Sequence, residues 1–202
     1  MCSSDLLPGV ELRLADDGEL LCRGPIVMRG YRGQPEKTAE TLRGGWLYTG
    51  DIDTVDPDGY IRIKDRKKDV IITAGGKNIT PSEIENELKF SPFISDAVVV
   101  GDARPYLTCL VMIDHENVTK FAQDRQVPFT NYASLCHAQE VVDLIGEIVE
   151  SVNARFARVE TVKKFRLIDQ LLDPEDDELT PTMKLKRKVV NEKYKDLIEE
   201  MY

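Results

Sequence analysis

Short segments of alternating apolar and polar residues fill the first 64 positions of the chain and are separated by turn residues. Such alternation predicts half-buried strands, because successive side chains of a strand point to opposite faces. The clearest segments are residues 11–14, 18–22 and 60–64. Turn sequences at Asp16-Asp17-Gly18 and Asp56-Pro57-Asp58-Gly59 precede two of them. We therefore expect this part to be β-rich, with its strands arranged as hairpins or a barrel.

The rest of the chain alternates between helix-like and strand-like patterns. Thr80, Pro81 and Glu83 predict a helix start in which Thr80 caps the helix, Pro81 takes the first helical position and Glu83 closes a capping box. Two valine-rich apolar runs, 94–100 and 107–113, have the length of strands. Continuous apolar strands of this kind are typical of a sheet that is covered on both faces.

Helical periodicity returns in three places towards the C-terminus. Apolar residues recur at helical spacing after Asp114 and again between residues 141 and 156, and residues 188–202 predict a charged closing helix. Residues 162–168 predict one more strand. The fold class expected from these patterns is α+β: a small α+β domain that follows a β-rich, barrel-like segment.

Composition and charge exclude several classes of function. The formal net charge of -9 argues against a nucleic-acid partner, which needs a basic surface. The four cysteines are scattered and only two histidines occur, so no metal site is expected. Cys136 and His137 are adjacent on a predicted helix and point to different faces, so we assign them structural or surface roles. The sequence has no apolar run of about 18 residues and no secretory signal pattern at Met1, which favours the cytoplasm.

Two charged segments near the middle of the chain are candidates for ligand contacts. Asp51 follows Gly50 at the expected end of an aromatic strand, where its carboxylate could hold a vicinal diol such as ribose or could cap the donors of a turn. The run Asp65-Arg66-Lys67-Lys68-Asp69 consists of five charged residues and is not expected to form part of a sheet. It is either a solvated loop or an interdomain hinge whose Arg66 touches an anionic or polyhydroxyl ligand.

Two further segments carry glycines or cations. The pair Gly75-Gly76 before Lys77 could bring backbone amides close to a ligand or could form a plain hairpin turn, and it does not match the phosphate-loop signature. The run from Leu179 to Lys188 contains four cations within its last five residues. It is either a surface patch or a means of delivering one lysine to a negatively charged reaction centre.

Taken in order, these segments resemble the C-terminal third of the acyl-adenylate-forming (AMP-forming) synthetase superfamily. The resemblance is carried by ordered motifs: Gly18-Glu19-Leu20, Gly24-Pro25, Gly30-Tyr31, Tyr48-Thr49-Gly50-Asp51, Gly59-Tyr60, Asp65-Arg66-Lys67-Lys68-Asp69, Gly75 and Glu83-Ile84-Glu85. The pattern T-P-T-x-K-x-K-R at 180–187 and the long stretch between Asp124 and Thr161 resemble the long-chain fatty-acid-CoA ligase branch.

The resemblance implies a division of the chain into domains. Residues 8–64 correspond to the end of the large N-terminal adenylate-forming domain, residues 65–69 to the hinge, and residues 70–202 to the mobile C-terminal domain. Residues 1–7 fit none of these and are interpreted as an assembly scar or a disordered start.

The resemblance also implies roles for individual residues. Asp51 and Arg66 fall where the family holds the ribose of ATP, and Lys68 falls at the pivot on which the small domain rotates. Gly75 falls where a glycine lines the tunnel for the pantetheine arm of coenzyme A. Lys186 falls at the catalytic lysine.

One departure from the family pattern bears on the catalytic lysine. The family lysine follows a glycine, and this chain has Leu185 at that position. Lys184 is therefore the alternative candidate for the same role.

The implied activity is that of a long-chain-fatty-acid-CoA ligase that uses ATP with Mg²⁺ and then coenzyme A, with a fatty acid as substrate. The family's phosphate-binding loop and the Tyr-Gly-x-Thr-Glu segment do not occur in these residues. We therefore expect an N-terminally truncated piece that is inactive alone, whose Mg²⁺ ligand lies in the missing part. The resemblance also allows peripheral membrane association. Alternatives are a medium-chain or aryl acid, a carrier-protein acceptor, or a non-catalytic binding module.

Overall fold

The structure is a computed structural model that describes residues 7–56, 60–172, 175, 177–180 and 185–202. The chain divides into two compact units, Met1–Val70 and Ile71–Tyr202. We call them the first unit and the second unit and describe each by itself.

The first unit is built on an antiparallel sheet. Its strands are β1 (Glu11–Leu14), β2 (Glu19–Arg23), β3 (Leu42–Arg43), β4 (Trp46–Val55) and β5 (Ile61–Arg66). The order is β1-β2-β4-β3, and β5 pairs with β4. A short helix, α1 (Pro35–Thr41), precedes β3, and a 3-10 turn, Lys67–Asp69, follows β5. The ten-residue strand β4 is therefore the element that joins the sheet together.

The predicted strands of this unit are confirmed with small shifts at their ends, and one prediction about β4 is wrong. The strand does not end at Gly50 and Asp51 but continues to Val55, because its second half pairs with β5. Gly50 can lie inside the strand with a φ of 75° because it has no Cβ to clash in the left-handed region. The predicted turn at 57–59 lies outside the described residues.

The second unit combines a mixed sheet with helices. Its strands are β6 (Ile71–Ile72), β7 (Asn78–Ile79), β8 (Ile94–Val100), β9 (Leu107–Ile113) and β10 (Val162–Leu167). Its helices are α2 (Pro81–Lys89), α3 (His115–Asp124), α4 (Tyr132–His137), α5 (Gln139–Asn153), α6 (Arg187–Lys193) and α7 (Lys195–Glu199), with a 3-10 turn at Arg158–Glu160. β8 and β9 are antiparallel, β9 and β10 are parallel, and β6 pairs with β7 as a separate hairpin.

Strand β9 is buried along its whole length and separates two hydrophobic clusters. Alternate residues such as Cys109 and Val111 join the larger cluster, which α2, α3, α4 and α5 cover. Leu110, on the other face, joins the smaller cluster with residues of α6, α7 and the C-terminus. The prediction of a sheet covered on both faces is confirmed, and the α+β class with it.

Two details of the predicted helices are wrong. The side chain of Thr80 makes no capping hydrogen bond, so the predicted capping box with Glu83 does not form. Pro81 at the first position already fixes φ and removes one orphan N–H, and the Glu83 N–H bonds to the Thr80 carbonyl instead. The closing helix is broken at Tyr194, whose ψ of 24° ends α6, so that both short helices can lie on the smaller cluster.

Two glycines of the second unit give a test of this packing. A Cβ on Gly101 would lie 2.4 Å from the Cδ2 of Leu107, which is fully buried, and 3.4 Å from the Cγ2 of Ile71. We expect Gly101→Ala to lower the free energy of unfolding by about 1–3 kcal/mol through overpacking.

Gly146 in the middle of α5 is the matched control. Its added Cβ would meet the Phe165 ring at 3.7 Å, which is ordinary contact. Gly146→Ala should therefore raise stability by about 0.5–1 kcal/mol, since alanine favours the helix. Urea unfolding followed by circular dichroism measures both. Equal effects of the two substitutions would contradict the packing described for Gly101.

Candidate functional site

Two of the residues predicted to bind a nucleotide are paired with each other in the first unit. Asp51 in β4 lies opposite Arg66 at the end of β5 in the register of the two strands. The Nε of Arg66 lies 2.9 Å from the Oδ1 of Asp51. The arginine side chain is 59% exposed and the aspartate side chain 22% exposed. A carboxylate and a guanidinium therefore stand side by side at the surface of one sheet.

A buried glutamate contacts the residue before Asp51 and the residue after Arg66. Glu19 in β2 accepts a hydrogen bond from the Gly50 N–H at 2.9 Å through one carboxylate oxygen. Its other oxygen accepts one from the ammonium of Lys67, also at 2.9 Å. Lys67 donates to Asp17 as well, at 2.6 Å. The hydrogen bond from Lys67 lowers the pKa of the Asp17 carboxyl, and the bonds to Asp17 and Glu19 raise the pKa of Lys67. The backbone of Gly50, before Asp51, and the side chain of Lys67, after Arg66, are thus held by one carboxylate.

Asp53 is a buried acid that the sequence reasoning missed. It is 2% exposed, and neither of its carboxylate oxygens has a hydrogen-bond partner among the described residues. Burial, and secondarily the charge of Asp51, raises its pKa. The sequence Asp51-Ile52-Asp53 could have indicated it, since two acids two positions apart in a strand share a face. We missed it because we expected the strand to end before Asp51.

Lys68 and Gly75 lie in two different turns. Lys68 is exposed in the 3-10 turn Lys67–Asp69 of the first unit. Gly75 lies in the connection between β6 and β7, where the Thr73 N–H bonds to the Lys77 carbonyl. Among the described residues, a Cβ added at Gly75 would have only the Thr73 hydroxyl within 4 Å, at 3.9 Å. Gly76, with a φ of 72°, is the residue whose backbone requires glycine.

Lys186 stands at the start of α6, where it is the residue before the first helical position. Its N–H donates to the Glu178 carbonyl at 2.6 Å and its side chain is exposed. The neighbouring Leu185 packs against the smaller cluster and also against a third hydrophobic cluster, formed by Met112, Leu172 and Leu179. The alternative candidate, Lys184, lies outside the described residues.

The residues on either side of Lys186 contact buried carboxylates. The Leu185 N–H donates to the Oδ2 of Asp96 at 3.0 Å. The guanidinium of Arg187 donates to the Val99 carbonyl and to the Oε1 of Glu85, both at 2.7 Å. Asp96 was not among the residues selected from the sequence, and Glu85 was named only as part of a motif.

Cys136 and His137 line a separate cavity of about 500 Å³ in the second unit, together with residues that include Phe165, Leu167 and Tyr194. Burial raises the pKa of the Cys136 thiol to about 12, and the sulfur faces the Ile168 carbonyl. His137 instead contacts Asp169, with 3.2 Å between its Nε2 and the carboxylate. These contacts agree with the predicted structural or surface roles of both residues, and among the described residues none of the predicted site residues lines this cavity.

The described residues contain no cluster of three or more acidic, histidine or cysteine side chains that could hold a metal ion. Within the same residues, every helix is too short or too polar to cross a bilayer.

Curated relatives match this chain over almost its full length. The long-chain-fatty-acid–CoA ligase FadD15 of Mycobacterium tuberculosis is 44% identical over 199 residues, which cover 97% of this chain and 33% of that protein. The mouse long-chain-fatty-acid–CoA ligase ACSBG1 is 33% identical over 225 residues, covering 99% of this chain and 31% of its own. The chain thus spans about a third of the length of the relatives it matches.

A solved structure supports the fold. The adenylation domain of a carboxylate reductase from Mycobacterium chelonae superposes with a TM-score of 0.80 at 24% identity, over 96% of this chain and 31% of that one. The family model described as the AMP-binding enzyme C-terminal domain matches residues 68–202. The chain therefore belongs to the AMP-binding enzyme C-terminal domain family of adenylate-forming enzymes, and its homologues include fatty-acid–CoA ligases.

Proposed function

We propose that this chain is the C-terminal part of an AMP-forming ligase that activates a long-chain fatty acid with ATP and transfers the acyl group to coenzyme A. The observation that carries the proposal is the pair of Asp51 and Arg66. An aspartate of this kind can accept hydrogen bonds from both hydroxyls of a ribose, and the adjacent guanidinium offers donors to the same sugar. The homologues that bear fatty-acid–CoA ligase names support the choice of substrate.

In the first half-reaction, an oxygen of the fatty carboxylate attacks the α-phosphorus of ATP. The new carboxyl–phosphate bond forms as the bond to pyrophosphate breaks, which gives acyl-adenylate and pyrophosphate. Negative charge gathers on the oxygens around the phosphorus, and an ammonium that reaches them stabilises that charge and orients the reactants. Mg²⁺ accompanies ATP as part of the substrate, and its ligands belong to residues outside this chain.

We assign that ammonium to Lys186. Its side chain is exposed and makes no hydrogen bond or ion pair with the described residues, while its backbone N–H donates to the Glu178 carbonyl. Lys184 stays the alternative, because Leu185 occupies the place of the family glycine and its side chain is packed on the smaller cluster.

In the second half-reaction, the thiol of coenzyme A attacks the acyl carbon and AMP leaves. The proton of the thiol is released and the carbon–sulfur bond replaces the carbon–oxygen bond to the phosphate. We propose that Gly75 lines the path of the pantetheine arm, since the described residues leave open space where a side chain would stand. A rotation about Lys68 would exchange Lys186 for the Gly75 turn at the adenylate.

The proposal extends to the compartment. The thiols of Cys22, Cys109 and Cys136 are free and buried, and free thiols are typical of the reducing cytoplasm. We place the ligase there, in peripheral contact with the membrane that holds its fatty-acid substrate.

The first prediction concerns the reaction itself. The full-length protein should release AMP from ATP in the presence of palmitate and coenzyme A, and more slowly with octanoate or benzoate. The 202-residue chain alone should stay at background, because the phosphate-binding loop is not among its residues. A coupled AMP assay measures both. A preference for octanoate or benzoate would contradict the long-chain assignment, and turnover by the chain alone would contradict its dependence on the upstream part.

The second prediction concerns the ribose. Asp51→Ala in the full-length protein should raise the Michaelis constant for ATP about tenfold to a hundredfold, because hydrogen bonds to a charged acceptor contribute about 1.5–3 kcal/mol and each 1.4 kcal/mol is tenfold. Asp16→Ala, an exposed carboxylate in a turn of the same unit, is the control and should change nothing. A Michaelis constant for ATP that stays at its wild-type value in Asp51→Ala excludes the ribose contact.

The third prediction concerns the pivot. Proline fixes φ near -65° and restricts the residue before it. Lys68→Pro should therefore preserve pyrophosphate exchange, which reports the first half-reaction, and abolish acyl transfer from preformed adenylate to coenzyme A. Lys68→Ala removes the charge but leaves the backbone free, and should affect neither step by more than a few-fold. Equal loss of both steps in the two variants means that Lys68 is not the pivot.

A further inference from the structure

Three successive residues of the second unit, Leu185, Lys186 and Arg187, are each held by a polar contact at the start of α6. We call them the lysine segment. The backbone N–H groups of Leu185 and Lys186 donate to Asp96 and to the Glu178 carbonyl, and the side chain of Arg187 reaches Glu85 and the Val99 carbonyl. Only the side chain of Lys186 points to solvent. The segment is therefore fixed on both sides of the one residue that is left exposed.

Asp96 forms the first of these anchors from strand β8. It is 7% exposed, and its Oδ1 accepts the Ala97 N–H at 2.9 Å and lies 3.3 Å from the ammonium of Lys89. Its Oδ2 accepts the Leu185 N–H at 3.0 Å. Each oxygen of this buried carboxylate is thus engaged, and one of them is assigned to the backbone of the lysine segment.

Glu85 forms the second anchor from helix α2. It is 7% exposed, and its Oε1 accepts both the Val99 N–H and the Arg187 guanidinium, each at 2.7 Å. Arg187 donates with its other terminal nitrogen to the carbonyl of the same Val99. Glutamate and arginine together therefore complete the hydrogen bonds of one strand residue and tie α6 to α2.

Stability alone is a poor reason for two such carboxylates. Moving a charge into a low-dielectric interior costs several kcal/mol, and an apolar pair of similar volume often serves stability as well or better. A buried and hydrogen-bonded charge does fix geometry, because its partners have few other positions with equal energy. The two acids are therefore best explained by the position they impose on the residues between their contacts.

We infer that Glu85 and Asp96 are positioning residues for the reactive ammonium of the lysine segment. Asp96 holds the backbone of Leu185 and Glu85 holds the side chain of Arg187, so the position of the lysine between them is fixed on the second unit. A misplacement of about 1 Å can cost about a hundredfold in rate when a reaction depends on the orientation of a catalytic group. The inference rests on the proposed function, since it requires that a lysine here acts in adenylate formation.

The test compares the two half-reactions in the full-length protein. Glu85→Gln and Asp96→Asn keep the shape of each side chain and remove its charge. Both should slow pyrophosphate exchange with palmitate about tenfold to a hundredfold through kcat, with the Michaelis constant for ATP little changed. Acyl transfer from preformed adenylate should fall by less than about threefold, because the lysine is not needed there. A purely structural role would lower both steps together.

Glu87→Gln is the matched control. Glu87 lies on the same helix and pairs with Arg155, away from the lysine segment. Its loss should leave both half-reactions at the wild-type rate. Arg187→Lys supplies a milder variant in case Glu85→Gln fails to fold, since it keeps a cation beside Glu85 with fewer donors, and it should give an intermediate loss of pyrophosphate exchange.

Two further measurements separate this inference from the proposed function. Lys186→Ala and Lys184→Ala establish whether either lysine serves the first half-reaction: if neither reduces pyrophosphate exchange, the proposed role of the lysine fails. If only Lys184→Ala reduces it, or if Lys186→Ala reduces it and Glu85→Gln and Asp96→Asn do not, the positioning role alone is overturned. Hydrogen exchange adds a measurement that does not depend on turnover. The Leu185 amide hydrogen should exchange faster in Asp96→Asn and at the wild-type rate in Glu87→Gln. An unchanged Leu185 amide in Asp96→Asn also overturns the inference.

Discussion

Strand β9 is buried on both faces, and the need to cover both faces is the constraint on which the second unit depends. On one face of the strand, Leu107, Cys109, Val111 and Ile113 belong to the larger hydrophobic cluster. On the other face, Leu110 belongs to the smaller cluster and Met112 to a third one with Leu172 and Leu179. Both faces must be covered at once, since uncovering either would expose buried apolar side chains to water. The helices α6 and α7 are thus required by the sheet, and the lysine segment stands where α6 begins.

The sequence predicts those parts of the fold whose structure is determined by hydrophobic burial alone. The continuous apolar runs of β8 and β9 and the periodic face of α5 leave one arrangement that hides them. Helix α1 was not predicted because it buries no residue and so has no apolar face to detect. The break at Tyr194 was missed for the opposite reason: the pattern of apolar residues is compatible with one helix, and only the shape of the smaller cluster requires two.

The candidate site divides in the same way. Asp51, Arg66 and Lys186 were selected by motifs, but the contact between Asp51 and Arg66 depends on the register of β4 and β5, which no local pattern specifies. Glu85 and Asp96 were harder to find, because a charged residue in a helix or at a strand end is typically at the surface. Their partners lie about 90 to 100 positions away in the chain, so only the folded structure brings them into view.

The location of the Asp51–Arg66 pair within one sheet of the first unit would limit how a nucleotide bound there can shift an equilibrium between two states of the protein. Both side chains belong to strands of the first unit that are hydrogen-bonded to each other, so a ligand held by this pair alone would contact the same two side chains as long as these strands stay paired. A ligand with equal affinity for two states shifts no equilibrium between them, however tightly it binds. The proposed contact with a ribose would therefore hold a nucleotide without favouring either state. Any preference for one arrangement of the protein over another must come from the remainder of the ligand, through groups that only one arrangement can reach.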